Sequence, residues 1–479
     1  MILWDDSLYI YKTYIELKGH MMEKIEKTQM EYTELASLDS CGKTFRYKGK
    51  FLRGIYHSHE EAIKEMFDCG LVEALVKMRL IPDTTLSDYF SDEFPVILEH
   101  EVITPVTYIF EWTYHMLCDA AQMIFDLNEV LAKYGYKLWD CHSYNILFKN
   151  NKPLYVDFGS FYKADEKIER TFPLREFKCD YIVTSSLLRR NGALLRDLLK
   201  VNDTVTLSDI TRIRKGLGRP SYMETVSEIL GALHIKFYSS LPFYERFLIQ
   251  RYGRKVRRMQ TAATTKGRWS DYQQVDASML QDIESWNSEE FKRFNRIIAL
   301  IEKLEIESVY EWGCNNGLLA ILICGRFDMI KDYYCCDYDD YSVDNLYCFI
   351  KREAPKYRWL NKIKPIVGSF FDPINLKSKN GNLRMKSDLV IGCAIAHHLL
   401  LAQGINIDIL FETFASYTRK FILIEFMPLG LWDGTGVEAP LPEYYTLDWF
   451  LEHMSKKFDV NLVEQTEKNR ILVFGKLRF

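Results

Sequence analysis

The sequence has no surplus of charge of either sign. Its 62 Lys and Arg stand against 66 Asp and Glu, a formal net charge of -4. That balance leaves no electrostatic footprint for nucleic acid or an anionic membrane, and no nucleic-acid partner is expected. It also has no C-x-x-C pair. The 11 cysteines are odd in number and unpatterned, and Cys335 and Cys336 are adjacent, poor geometry for a shared zinc ion. No metal site is expected from them, and free thiols in such a pattern point to a reducing, cytoplasmic setting. No apolar run is long enough to span a bilayer. The first residues, MILWDD, lack the basic and apolar regions of a signal peptide. Internal repeats and low-complexity tracts are missing too. The only dense basic run is Arg254, Lys255, Arg257 and Arg258, which reads as a solvated helix face.

What is present suits a folded enzyme. A chain of 479 residues is too long for one core and implies two or three domains. Helical spacing marks Lys12 to Leu35, His59 to Lys77 and Glu111 to Tyr134. TFRYKGKFLRGIY (44–56) reads as two short strands joined at Lys48-Gly49-Lys50, PVILEHEV (95–102) as a strand, and residues 175–250 as mostly helical. The polar stretch 254–276 marks a boundary. The expected division is 1–255, a linker with a lead-in helix at 256–290, and 291–479.

After that boundary, helices and strands alternate as in an open α/β sheet. A strand runs into EWGCNNG (311–317), where glycines allow a sharp turn and close ligand approach. The next strand, DYYCCD, ends at Asp337, where a carboxylate can accept both ribose hydroxyls of an adenosine. Strands at 363–367, 387–392 (SDLVIG) and 421–426 (FILIEF) follow. Then 458–464 and 470–477 form a hairpin. Parallel βα units closed by a terminal hairpin resemble class I S-adenosylmethionine-dependent methyltransferases. The expected fold is therefore a Rossmann-like, mostly parallel sheet with a terminal antiparallel hairpin. On this resemblance Glu311, Gly313, Asn315 and Gly317 shape the methionine side and Asp337 holds the ribose. Ser369 and Phe370 stand where many members carry an acid near the adenine, so Phe370 is a candidate for stacking. Cys393 to His398 and Glu425 face the acceptor, with His397 or His398 as a base for a hydroxyl nucleophile and Glu425 either binding substrate or forming a salt bridge. Dinucleotide dehydrogenases are the rival for the glycine loop, but G-x-G-x-x-G is absent.

The N-terminal half holds a second constellation. In LWDCHSYNILFKNNKPLYVDFGSF (138–161), Asp140 and Asn145 have D-x4-N spacing and Asp157 opens a DFG. This resembles the catalytic loop and metal-binding Asp of the protein-kinase and aminoglycoside-phosphotransferase superfamily, implying an α+β kinase-like domain and, if active, ATP with Mg²⁺. No glycine-rich loop over the phosphates is visible. Lys50 and Arg53 are the nearest positions to a phosphate-binding Lys. Two carboxylates and an amide in one pocket need a cation, either Mg²⁺ with a nucleotide or a resident side chain such as Arg53.

Taken whole, the chain resembles a bacterial family of two-part proteins, a kinase-like region followed by a methyltransferase, which includes the rhizobial host-specificity nodulation proteins. Members often have a changed DFG, so the intact one here is a departure. The resemblance implies a glycan or related small-molecule acceptor. The alternatives are a bifunctional kinase–methyltransferase acting on a sugar terminus, and an N-terminal half that only binds an acceptor or partner. Oligomeric state is not readable from the sequence.

Overall fold

The computed structural model describes residues 22–32, 40–164, 173–201, 242–261, 266, 275–286, 292–370, 381–432, 438 and 440–478. In the N-terminal half, β1 (Glu31–Tyr32), β2 (Gly42–Tyr47), β3 (Lys50–Ile55), α1 (Glu60–Asp68), α2 (Leu71–Lys77), β4 (Thr84–Leu86) and β5 (Val96–His100) build an antiparallel sheet of order β1-β2-β3-β5-β4. The β2–β3 turn is Lys48 and Gly49, both at positive φ, so the strands reverse within two residues. One helix is expected over 59–77, but two form, because Gly70 at φ 79 turns the chain out of the helical region.

The described part of the expected helix 12–35 is two short strands on either side of a single 3-10 turn at Lys27–Gln29. Glu23–Lys24 pairs with Tyr89–Phe90, and β1 pairs with β2. Ile25 and Met30, buried against Phe45 and Tyr47, anchor it to the sheet, and that tertiary contact overrides helical spacing. The rest of that helix lies outside the described residues.

The long helix α3 spans Tyr114–Lys133. It begins three residues later than expected because Thr113 caps it, accepting from the Met116 N–H at 3.2 Å. Then come β6 (Tyr136–Leu138), β7 (Ile146–Lys149), β8 (Lys152–Tyr155) and β9 (Phe161–Lys163), with β7 paired to β8 and β6 to β9. Helices α4 (Thr184–Val201) and α5 (Pro242–Gln260) follow, and residues 202–241 lie outside the described set. Val256 and Met259 are buried in the N-terminal core, which carries this unit past 255. The four basic residues around them are exposed, a solvated face.

The C-terminal half runs α6 (Lys292–Ile301), β10 (Ser308–Trp312), α7 (Leu318–Arg326), β11 (Asp332–Asp337), α8 (Asp340–Glu353), β12 (Ile363–Val367), β13 (Ser387–Gly392), α9 (Ile407–Tyr417), β14 (Thr418–Phe426), α10 (Leu447–Met454), β15 (Phe458–Glu467) and β16 (Arg470–Leu477). The sheet order is β12-β11-β10-β13-β14-β16-β15, parallel except for the terminal hairpin. Strands β10 and β13 are buried along their length, as a sheet covered by helices on both faces requires. The order reverses between β10 and β13, so the loops after their carboxyl ends open the crevice in which such sheets bind ligands. Asp372 lies outside the described residues.

The halves meet along α8. Tyr347, fully buried, packs in the N-terminal core and donates to Asp119 at 2.7 Å. Lys351 also reaches Asp119, and His115 pairs with Asp344 at 2.6 Å. Arg384, just before β13, pairs with Glu111 at 2.5 Å.

Candidate functional site

Three residues of the loop after β10 are left-handed: Gly313 (φ 74), Asn315 (φ 50) and Gly317 (φ 74). At Gly317 a Cβ would lie 2.7 Å from Leu346, so only glycine fits there without displacing α8. The loop curls onto the end of β11. The Asn315 N–H donates to Asp337 Oδ2 at 2.8 Å, and the Asp339 N–H donates to Oδ1 at 2.9 Å. Asp337 thus bridges the glycine loop and the start of α8. Asp339 caps that helix, accepting from Tyr341 at 3.1 Å.

Glu311 lies beneath the loop and accepts from the Tyr333 hydroxyl at 2.9 Å. Burial pushes its carboxyl up to about 8 and that of Asp337 up to about 6, although backbone donors oppose the second shift. Among the described residues neither carboxylate forms an ion pair. Two carboxyls buried this way are costly to ionise unless a cation comes beside them, so they favour a cationic ligand. S-adenosylmethionine carries a sulfonium and an ammonium, so these residues fit it.

The wall after β13 is built differently from the expectation. Ala394 is left-handed (φ 50), and its N–H donates to Glu425 Oε2 at 2.7 Å. Glu425 is fully buried; Arg470 donates to Oε2 at 2.9 Å, and Arg293 lies 3.6 Å from Oε1. Its carboxylate is committed to this cluster and does not face an acceptor. The Cys393 thiol is buried and held far above its usual range by desolvation, so it is inert wall. Phe370 sets its ring against Trp312 at 5.2 Å and Phe414 at 5.6 Å. Ser369 is half-buried beside it.

His397 is 5% exposed, its Nδ1 has no hydrogen-bond partner among the described residues, and burial holds it neutral, down to about 3. A proton placed there is strongly disfavoured, which makes His397 a weak base. His398, with ring centroids 4.1 Å away, is half-buried and the more accessible of the pair. Tyr338, directly after Asp337, is 64% exposed. Arg293 and Arg470 left no signal, being far from Glu425 in sequence.

In the N-terminal half, Asp140 Oδ1 accepts from the His142 N–H at 2.6 Å. Burial, with the charges of Glu176 and Asp157 adding to it, lifts the Asp140 carboxyl to about 6. Asp157 accepts from Ser160, and Arg53, on β3, lies 3.7 Å from its Oδ1. The Asn145 carbonyl accepts from Val156 at 2.8 Å, tying the D-x4-N loop to the DFG strand. His142 sits between Asp180 at 3.4 Å and Glu176 at 2.7 Å, which raise it to about 10. Among the described residues, two trios have ligand atoms close enough together to hold a metal, Asp140–His142–Glu176 and His115–Asp344–Cys348. With His142 and His115 cationic, both are ion-paired clusters in this structure.

No family model matches the chain. It is 25% identical over 130 residues to Nodulation protein NoeA of Rhizobium meliloti (strain 1021), a match covering 25% of this chain and 26% of that one. The chain thus spans about a quarter of that curated relative's length. Solved structures that align include a SAM dependent methyltransferase from Aquifex aeolicus (12% identity, 43% of this chain and 100% of that one, TM-score 0.31). Another is the PH0226 protein from Pyrococcus horikoshii OT3 (14% identity, 43% and 99%, TM-score 0.30). Scores this low carry no argument. By its strand order the C-terminal half is a Rossmann-like sheet, parallel except for its terminal hairpin. No helix among the described residues is long and apolar enough to cross a membrane.

Proposed function

We propose that the chain is an S-adenosylmethionine-dependent methyltransferase acting on a glycan or related small-molecule acceptor. The observation that carries this reading is the Asp337 carboxylate, buried, without an ion pair among the described residues, and bridging a left-handed glycine loop to the next helix. Glu311, Gly313, Asn315 and Gly317 would shape the methionine side, and Asp337 would accept the ribose hydroxyls. When bound, the cofactor would supply a sulfonium methyl for in-line displacement, its sulfur leaving as the neutral thioether. The chain's own part is to align the acceptor and exclude water. The loop from Cys393 to His398 forms the acceptor wall, with His398 the better-placed proton acceptor and Glu425 holding the Ala394 turn from behind. The glycan comes from the family resemblance; the relative's name says only nodulation. Titration of the full chain with S-adenosylhomocysteine tests the reading. One-to-one binding supports it, and no binding at millimolar ligand sinks it.

The N-terminal half is, in our reading, a kinase-like domain that does not transfer phosphate. The order of its elements supports the kinase-like part: an antiparallel sheet with helices between its third and later strands, a long helix, then the β7–β8 hairpin nested inside the antiparallel pair β6–β9, with the D-x4-N loop and the DFG on the two connections between them. Two features oppose phosphoryl transfer. The β2–β3 turn is only Lys48 and Gly49, too short to cradle a triphosphate with backbone donors. Among the described residues the cation paired with Asp157 is Arg53, whose Nη1 lies 3.7 Å from Oδ1 of the group that would hold Mg²⁺.

A further inference from the structure

Helix α4 of the N-terminal half lies directly against the first turn of α8. Gly192 makes this approach possible: a Cβ there would lie 2.5 Å from Asp340 Oδ2. One turn on, Arg196 closes the contact. Its Nε donates to Asp340 Oδ2 at 3.3 Å, its Nη2 to Oδ1, and its Nη1 to the Phe110 carbonyl at 2.6 Å. The guanidinium is buried and makes a two-point fork on the carboxylate, the geometry in which arginine fixes position as well as charge. Phe110 is itself tied down, because its neighbour Glu111 pairs with Arg384 ahead of β13. Asp340 follows Asp339, whose N–H reaches Asp337 and whose side chain caps α8. Hydrogen bonds from Arg196 to Phe110 and Asp340, the peptide link from Asp340 back to Asp339, and the Asp339 N–H on Asp337 therefore connect Phe110 to the carboxylate proposed to hold the ribose.

We infer that Arg196 is a positioning residue for the cofactor site: from the other half of the chain it fixes the 337–340 turn, and with it the orientation of Asp337. The inference rests on the cofactor reading above. Without Arg196, the Asp340 carboxylate loses its partner while still packed against α4, and the turn must shift or take up a proton to relieve it. The N-terminal half then conditions cofactor affinity without touching the cofactor.

The test uses the full chain with S-adenosylhomocysteine as probe. Calorimetry compares wild type, Arg196→Ala and Arg196→Lys, with thermal unfolding and amide hydrogen exchange run alongside. We expect Arg196→Ala to weaken binding about 5–150-fold, the range of coupling between linked sites. Exchange should rise at 338–343 and stay unchanged in the terminal hairpin. The Lys variant, which keeps charge but loses the fork, should recover part of the affinity. Should Arg196→Ala fail to fold, the Lys variant alone decides, through affinity below wild type at unchanged hairpin exchange. A folded Arg196→Ala with wild-type affinity overturns the inference and leaves the cofactor reading standing. A wild type that binds no probe overturns the cofactor reading first.

Discussion

Glu311 and Asp337 set the electrostatics of the proposed cofactor side. Both carboxyls are raised, to about 8 and about 6, with burial the first cause. A carboxyl raised on folding binds a proton in the folded chain that the unfolded chain has released. The stability it adds is complete below its unfolded value and is lost as pH rises through its folded one. Ligand-free protein should therefore lose stability between about pH 4.5 and pH 8, which unfolding in urea across that range would measure. A bound ammonium or sulfonium favours the ionised forms and lowers both values. Cofactor binding at pH 7 should accordingly release up to about one proton, chiefly from Glu311. Calorimetry in buffers of different ionisation enthalpy reads this directly, and proton uptake on binding would refute the electrostatic account. Asp337 was legible in the sequence because the glycine loop and the following strand fix its place. Glu425 was legible only as a polar residue at a strand end, since its partners Arg293 and Arg470 come from α6 and β16.

Turns and helix junctions carry the next scale. Gly317 and Gly404 are both left-handed, at φ 74 and φ 66, yet only Gly317 has a neighbour in the way, Leu346 of α8. Substituting Ala at Gly404 should cost about 1–2 kcal/mol for the backbone alone. At Gly317 the same change adds a clash of about 1–3 kcal/mol. Urea unfolding of the two variants should separate them, and equal losses would mean that α8 gives way freely. Element type was readable where periodicity was long and local, as in α3 and the strands of the C-terminal sheet. It was not readable over 22–32, where isolated apolar residues dock on a sheet formed by later sequence, nor at Gly70, where one residue divides a helical pattern.

At the scale of the whole molecule, the two halves share one face of α8, with Asp340, Asp344, Tyr347 and Lys351 all engaged from the N-terminal side. None of this was visible in the sequence, because contact between distant segments leaves no periodic signature. The same architecture bears on phosphate chemistry. With Arg53 beside Asp157 and no phosphate-cradling loop between β2 and β3, purified protein given labelled ATP, Mg²⁺ and candidate glycans should transfer no label. Transfer that disappears in Asp140→Asn and Asp157→Asn would establish the bifunctional alternative instead. The central claim, that the crevice beside β10 and β11 holds S-adenosylmethionine through Asp337, is tested most directly by calorimetry of wild type and Asp337→Ala with S-adenosylhomocysteine. The account predicts one-to-one binding by wild type, weakened in the variant by about 1.5–3 kcal/mol, or roughly 10–150-fold. Equal affinity of the two proteins would contradict it.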